Sequence, residues 1–162
     1  MEIDLSFIQD EYFLKKLENC INQLFHIEKE IQGIILFGSL ARGKASNSVK
    51  KISDIDIIVI FKDNQLPKNH NERINLQIKL MDLKELGFDS LWMTESEFKN
   101  LVQIKADIIL DVLNEGIVLY DPYSLISKQK GKMFKELDKK GVIKREHYWI
   151  WPLKNLGDEM EW

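Results

Sequence analysis

Three aspartates and one glycine–serine pair are the residues of this chain whose types and spacing could do chemistry. Asp54 and Asp56 stand two apart in Ser53-Asp54-Ile55-Asp56. Strand side chains alternate, so the two carboxylates share a face, about 6.6 Å apart along the chain. Both lead into an apolar run, where like charges at the margin of a core repel unless a cation lies between them. Hard carboxylate oxygens suit Mg²⁺ or Mn²⁺ rather than zinc. Taken alone, the pair reads equally well as a turn cap at Asp54 and a solvated sheet end at Asp56. Asp89 is a third acid, second in the apolar run Phe88 to Met93, where a β-branched residue is the ordinary choice. If the two strands adjoin, it meets the first pair. Gly38 and Ser39 close another apolar run, Ile34 to Phe37. Glycine permits a bend barred to other residues, and serine can cap a following helix, so main-chain amides there face an anion. Such pairs also end strands in many proteins without binding anything. Together, three carboxylates and a phosphate-seating turn are the parts of a two-metal phosphoryl-transfer site.

The elements that must position these residues alternate between helix and strand. Phe13, Leu14, Leu17, Cys20, Ile21, Leu24 and Phe25 recur at the spacing of one helical face. Ser6 and Gln9 could form its capping box, with a start near Asp10 as the alternative. Ile34 to Phe37 and Ile55 to Phe61 read as buried strands, separated by a polar turn and loop from Leu40 to Ser53. Pro67 to Glu85 reads as a helix ended by Gly87, and Phe88 to Met93 as a third strand. Thr94 and Glu97 spell a capping box for a helix running toward Leu113. Ile117 to Tyr120 gives a fourth strand, and Asp121-Pro122 opens a helix toward Lys140. The fold expected is α/β (α+β): a small mixed sheet of about four to five strands flanked by helices.

A chain of 162 residues fits one domain, spanning 1–162 with a catalytic core near 31–120 and a C-terminal helix and aromatic tail over 121–162. The start, Met1-Glu2-Ile3-Asp4, lacks the features of a secretory signal, and the longest apolar runs are too short to cross a bilayer, so a cytoplasmic protein without membrane contact is expected. A net charge of −3 argues against a protein that coats nucleic acid. The exception is local: eight lysines and arginines between Lys128 and Arg145 face only Glu136 and Asp138, most simply the wet face of a helix. Cys20 falls on an apolar helix face and reads as a buried thiol. His26, His70 and His147 lack metal-ligand spacing.

The run Gly38-Ser39-Leu40-Ala41-Arg42-Gly43, followed by Ser53-Asp54-Ile55-Asp56 and Gly87-Phe88-Asp89, resembles the polymerase-beta-like nucleotidyltransferase superfamily. The match is to its small prokaryotic minimal nucleotidyltransferases, over roughly Ile31 to Tyr120. The resemblance implies the nucleotidyltransferase fold and an AMP-type transfer from a nucleoside triphosphate, with ATP and Mg²⁺ (or Mn²⁺) as the expected pair. By the same resemblance Gly38 and Ser39 hold the triphosphate; Arg42 and Lys44, in the loop that follows, either touch its oxygens or are simply solvated, as single basic residues in a loop usually are. Asp54 and Asp56 bind the metals, while Asp89 completes the carboxylate trio and helps deprotonate the attacking hydroxyl. One departure is the fourteen residues from Leu40 to Ser53, where the family usually has about ten. The extra length reads as a surface loop or a lid over the nucleotide.

Two rivals stand beside this reading. Gly38 to Lys44 fits the first seven positions of a P-loop, but Ala45 stands where Ser or Thr should hold Mg²⁺, and the polar residues that follow are poor helix formers. The other rival is a binding module. The minimal family often accompanies a HEPN-type toxin and neutralises it, by AMP transfer or by contact alone. The chain stops soon after the catalytic fold, so the acceptor is expected on another molecule, with a homo- or hetero-oligomer in view. The basic stretch and Tyr148-Trp149-Ile150-Trp151 are the candidate docking surface, or else the aromatics complete a core.

Overall fold

Described in the computed structural model are residues 3–81, 87–146 and 148–152. Helix α1 (Glu11–His26) begins at Asp10, whose carboxylate accepts the Tyr12 amide at 2.8 Å. The cap is therefore Asp10 and not the Ser6–Gln9 box; the Ser6 amide bonds to Asp4 instead. Phe13, Leu17, Cys20, Ile21 and Leu24 are buried as the periodicity requires. Phe25 turns outward and meets Tyr120 edge to face, with ring centroids 5.2 Å apart.

Strand β1 (Ile31–Phe37) leads into a single helical turn, α2 (Gly38–Ala41). The expected loop to Ser53 holds a two-residue ladder, β2 (Asn47–Ser48) against β3 (Lys51–Ile52), before β4 (Ile55–Phe61). No helix follows the glycine–serine turn at the place a P-loop would need one. Helix α3 (His70–Leu80) is capped by Asn69 and ends at an extended Met81, shorter at both ends than the Pro67–Glu85 span expected, of which residues 82–85 lie outside the described ones. Strand β5 (Phe88–Thr94) follows.

After β5 the expected long helix is two: α4 (Glu95–Gln103) and α5 (Asp107–Glu115). Thr94 and Glu97 make the predicted capping box. The break is at Lys105, which holds φ 54° while the Ala106 amide reaches back to the Leu101 carbonyl at 3.0 Å. That is a Schellman ending with lysine where glycine is usual. Lys105 is held there by Glu136, 2.7 Å from its Nζ. Strand β6 (Ile117–Tyr120) precedes α6 (Leu125–Lys139), which starts three residues beyond Pro122. The Asp121 carboxylate accepts the amides of Ile126 and Ser127 at 3.0 and 2.9 Å and so fixes that start. A last ladder pairs β7 (Ile143–Lys144) with β8 (Trp149–Ile150).

The main sheet is mixed, in the order β5-β4-β1-β6: β1 runs antiparallel to β4 and β6, and β4 parallel to β5. Alternation gives it two apolar faces. Ile34, Leu36, Ile55, Ile57, Val59, Phe61 and Trp92 pack with Phe13, Leu17, Cys20 and Leu24 of α1. On the other face, Ile35, Ile58, Ile60 and Met93 meet Phe98, Ile109, Leu113, Ile126 and Met133 from α4, α5 and α6. A sheet buried on both faces explains why β1 and β4 read as unbroken apolar runs. Trp149 and Trp151 pack against this second layer, while Tyr148 is 60% exposed. Among the described residues no helix is long and apolar enough to cross a membrane.

Candidate active site

The site forms where β1 ends, opposite the start of β4. Phe37 pairs with Asp56 across the antiparallel ladder, so the next residue, Gly38, lies against the Asp56 side chain. Gly38 has φ 71°, and a Cβ there would collide with Asp56 Oδ2. Both facts demand glycine. Asp56 accepts a hydrogen bond from the Ser39 amide. The bend that was expected to seat a phosphate is thus built directly onto the carboxylate expected to hold a metal.

Parallel pairing puts Asp56 in register with Asp89, and paired residues of neighbouring strands share a face. Asp56 also has the parity of Ile58 and Ile60, and Asp89 that of Met93, so both belong to the face covered by α4 to α6. Asp56 is half-buried, and Asp54 and Asp89 are exposed. Asp54 stands just before β4 with Oδ1 beside Gly87, near Lys16 of α1: a Cβ on Gly87 would lie 3.6 Å from that oxygen and 3.2 Å from Lys16 Nζ. Burial, then the charges of Asp89 and Asp54, raise the Asp56 carboxyl above the ordinary aspartate range, against the opposing pull of Arg42 and the Ser39 amide. The fold therefore brings Gly38, Ser39, Asp56 and Asp89 together with Arg42 beside them, and leaves Asp54 at the rim. Among the described residues no three Asp, Glu, His or Cys side chains already close into a metal cage.

Beside Asp56 opens a cavity of about 290 Å³, lined by Phe37, Gly38, Arg42, Asp56, Ile108, Asp111, Val112 and Glu115. Arg42 leans across it to Glu115, with 3.5 Å between Nη1 and Oε2. Asp111 binds Lys144 at 2.5 Å and accepts the Trp149 indole N–H at 3.0 Å. Burial alone would raise the Asp111 carboxyl, but these bonds and the charges of Lys144 and Arg42 outweigh it and hold the group below the usual range. Sequence reasoning passed over Asp111, Glu115 and Lys16, and placed Lys144 and Trp149 only in a candidate docking surface or core, not beside the site. A signal existed for two of them, because Ile108, Asp111, Val112 and Glu115 recur at helical spacing and share one face. Acids on a helix ordinarily mark the wet side, and only the tertiary fold turns this face toward Asp56.

Several known structures are similar in outline. One is a chain of a toxin–antitoxin crystal structure with AMP-PNP, at 20% identity and a TM-score of 0.46, covering 75% of this chain and 86% of that one. Another belongs to the Shewanella oneidensis tri-AMPylated HEPN toxin in complex with its MNT antitoxin, at 22% identity and a TM-score of 0.47, covering 79% and 90%. No curated protein matches by sequence. The family model described as polymerase beta, nucleotidyltransferase, matches residues 19–124, which span β1, the glycine–serine bend, β4, β5 and α5. With about two thirds of its length under that model, this chain belongs to the polymerase beta nucleotidyltransferase family.

Proposed function

We propose that the protein transfers a nucleoside monophosphate, AMP from ATP, onto an acceptor hydroxyl, and that it needs a divalent metal to do so. The observation that carries this reading is the register of Asp56 with Asp89 on one face, immediately against the Gly38–Ser39 bend. The donor chemistry fits a hard cation. Carboxylate oxygens are what Mg²⁺ and Mn²⁺ prefer, and burial with two neighbouring acids raises the Asp56 carboxyl, the mark of an arrangement short of positive charge. Asp54, Asp56 and Asp89 would hold the metal. When bound, it would neutralise charge developing on the transferring phosphoryl group.

The protein's own residues supply orientation. Gly38 and Ser39 seat the triphosphate, and Arg42 reaches its oxygens from the cavity wall. Asp89, exposed at the mouth, accepts the acceptor's hydroxyl proton as that oxygen bonds to the α-phosphorus. The bond from the α-phosphorus to its bridging oxygen breaks, and pyrophosphate leaves. Little covalent work falls to the protein, so positioning and electrostatics carry the rate.

The acceptor we propose is a hydroxyl on a HEPN-type toxin protein, as the motif resemblance to minimal nucleotidyltransferases suggests. The test is incubation with labelled ATP, Mg²⁺ and a HEPN-type toxin, beside the Asp54→Ala/Asp56→Ala double variant. The expectation is label on the toxin from the wild-type chain alone, and equal labelling by the two proteins would end the proposal. Toxin binding measured in parallel distinguishes a catalyst from a protein that acts by contact.

A further inference from the structure

A chain of ion pairs joins the candidate site to the β7–β8 hairpin, and this hairpin lies beyond the 19–124 span of the family match. Glu115 is shared: Oε2 is 3.5 Å from Arg42 Nη1, and Oε1 is 4.0 Å from Lys144 Nζ. Lys144 makes its close contact with Asp111 at 2.5 Å and sits 5.0 Å over the Trp149 ring, whose N–H binds the same Asp111 oxygen. The Lys144 side chain is 19% exposed and the Arg42 side chain 44%. One cation is thus fixed in a packed network, and the other extends from a loop into the cavity.

Charge decides what this does. The cavity lining carries three acids, Asp56, Asp111 and Glu115, and one cation, Arg42. Were Arg42 the sole partner of Asp111 and Glu115, both would draw it toward α5 and away from the glycine–serine bend, since it already feels the field of Asp111 as well as of Asp56. Lys144 takes up Asp111 fully and Glu115 in part, and the Arg42–Glu115 pair is correspondingly long. A long, half-exposed pair is weak and exchanges readily for a phosphate oxygen.

We propose that Lys144 is a positioning residue for the leaving group. By occupying Asp111 and Glu115 it leaves Arg42 available to the β- and γ-phosphates of the nucleotide. This rests on the proposed function, in which Arg42 touches the triphosphate. The hairpin is then an added wall of the nucleotide site, tied to α5 by Lys144 and Trp149.

The experiment is calorimetric titration of the full chain with pyrophosphate and, separately, with AMP, both with Mg²⁺. Lys144→Met should weaken pyrophosphate binding about tenfold, the loss of one charge-assisted contact, and leave AMP binding unchanged. Adding Glu115→Gln to Lys144→Met should restore part of the affinity, because one of the two competing carboxylates and the direct partner of Arg42 is gone, and Lys144→Arg should bind as the wild type does. A purely structural role for the hairpin predicts no rescue by Glu115→Gln, and that result overturns the inference. Unchanged pyrophosphate affinity in Lys144→Met, with its melting temperature showing a folded protein, overturns it too while leaving the proposed function standing. A wild-type chain indifferent to pyrophosphate overturns both.

Discussion

Asp56→Asn should yield a more stable protein that no longer transfers nucleotide. The mutated group is half-buried, in register with Asp89 on the adjoining strand, and near Asp54. Neighbouring strands lie ~4.8 Å apart, and two unit charges at that distance repel by ~1 kcal/mol in water and ~3.5 kcal/mol at an effective dielectric constant of 20. Solvent reaches Asp56 and both neighbours, so screening places the repulsion near the lower figure. Against this, asparagine loses the attraction of Arg42 but keeps an oxygen that can accept the Ser39 amide. The net expectation is a gain of roughly 0.5–1 kcal/mol at pH 7 without metal.

The sign also fixes the pH dependence. A folded carboxyl raised above its ordinary value of 3.8 carries its charge at a cost, and that cost is fully present above the folded value. The advantage of Asp56→Asn should shrink as pH falls through the folded value and vanish below 3.8. Urea denaturation midpoints from pH 3 to 8, in chelator and in Mg²⁺, read this directly. Mg²⁺ should stabilise the wild type and leave the variant unchanged. A variant less stable than wild type at neutral pH in chelator would refute the reasoning, since it would mean that the Asp56 charge supports the fold.

Gly38→Ala should cost about 1–3 kcal/mol by thermal melting, because a Cβ there meets Asp56 and the positive φ disfavours a side chain, and should abolish transfer with it. Cys20 is buried on the sheet-facing side of α1 and its thiol is pushed up to about 12 by desolvation. A thiol reagent at pH 8 should therefore leave the native protein unmodified and label it only at the rate of unfolding, which stopped-flow absorbance would follow; rapid labelling without denaturant would contradict the burial.

Much of this protein was legible in its sequence, for one physical reason: local chemistry acts over a few residues. Strands buried on both faces have to be apolar throughout, which exposed β1 and β4. The Thr94–Glu97 box satisfies its own amides, so α4 announces its start. A glycine needed at positive φ, with two aspartates at strand spacing, marked the bend and the acids. What failed lay where distant segments decide. Lys105 breaks a helix without glycine because Glu136, thirty-one residues away, holds its side chain. Asp111 and Glu115 look like the wet face of a helix until α5 docks beside Asp56, and Lys144 reads as one more lysine in a basic stretch until the hairpin folds it onto them. The sequence by itself determined the four strands of the main sheet and the Thr94–Glu97 cap, and it picked out the acids. Only the tertiary structure decided which charges share a cavity, because an ion pair is set by distance in space, and no spacing along the chain encodes it.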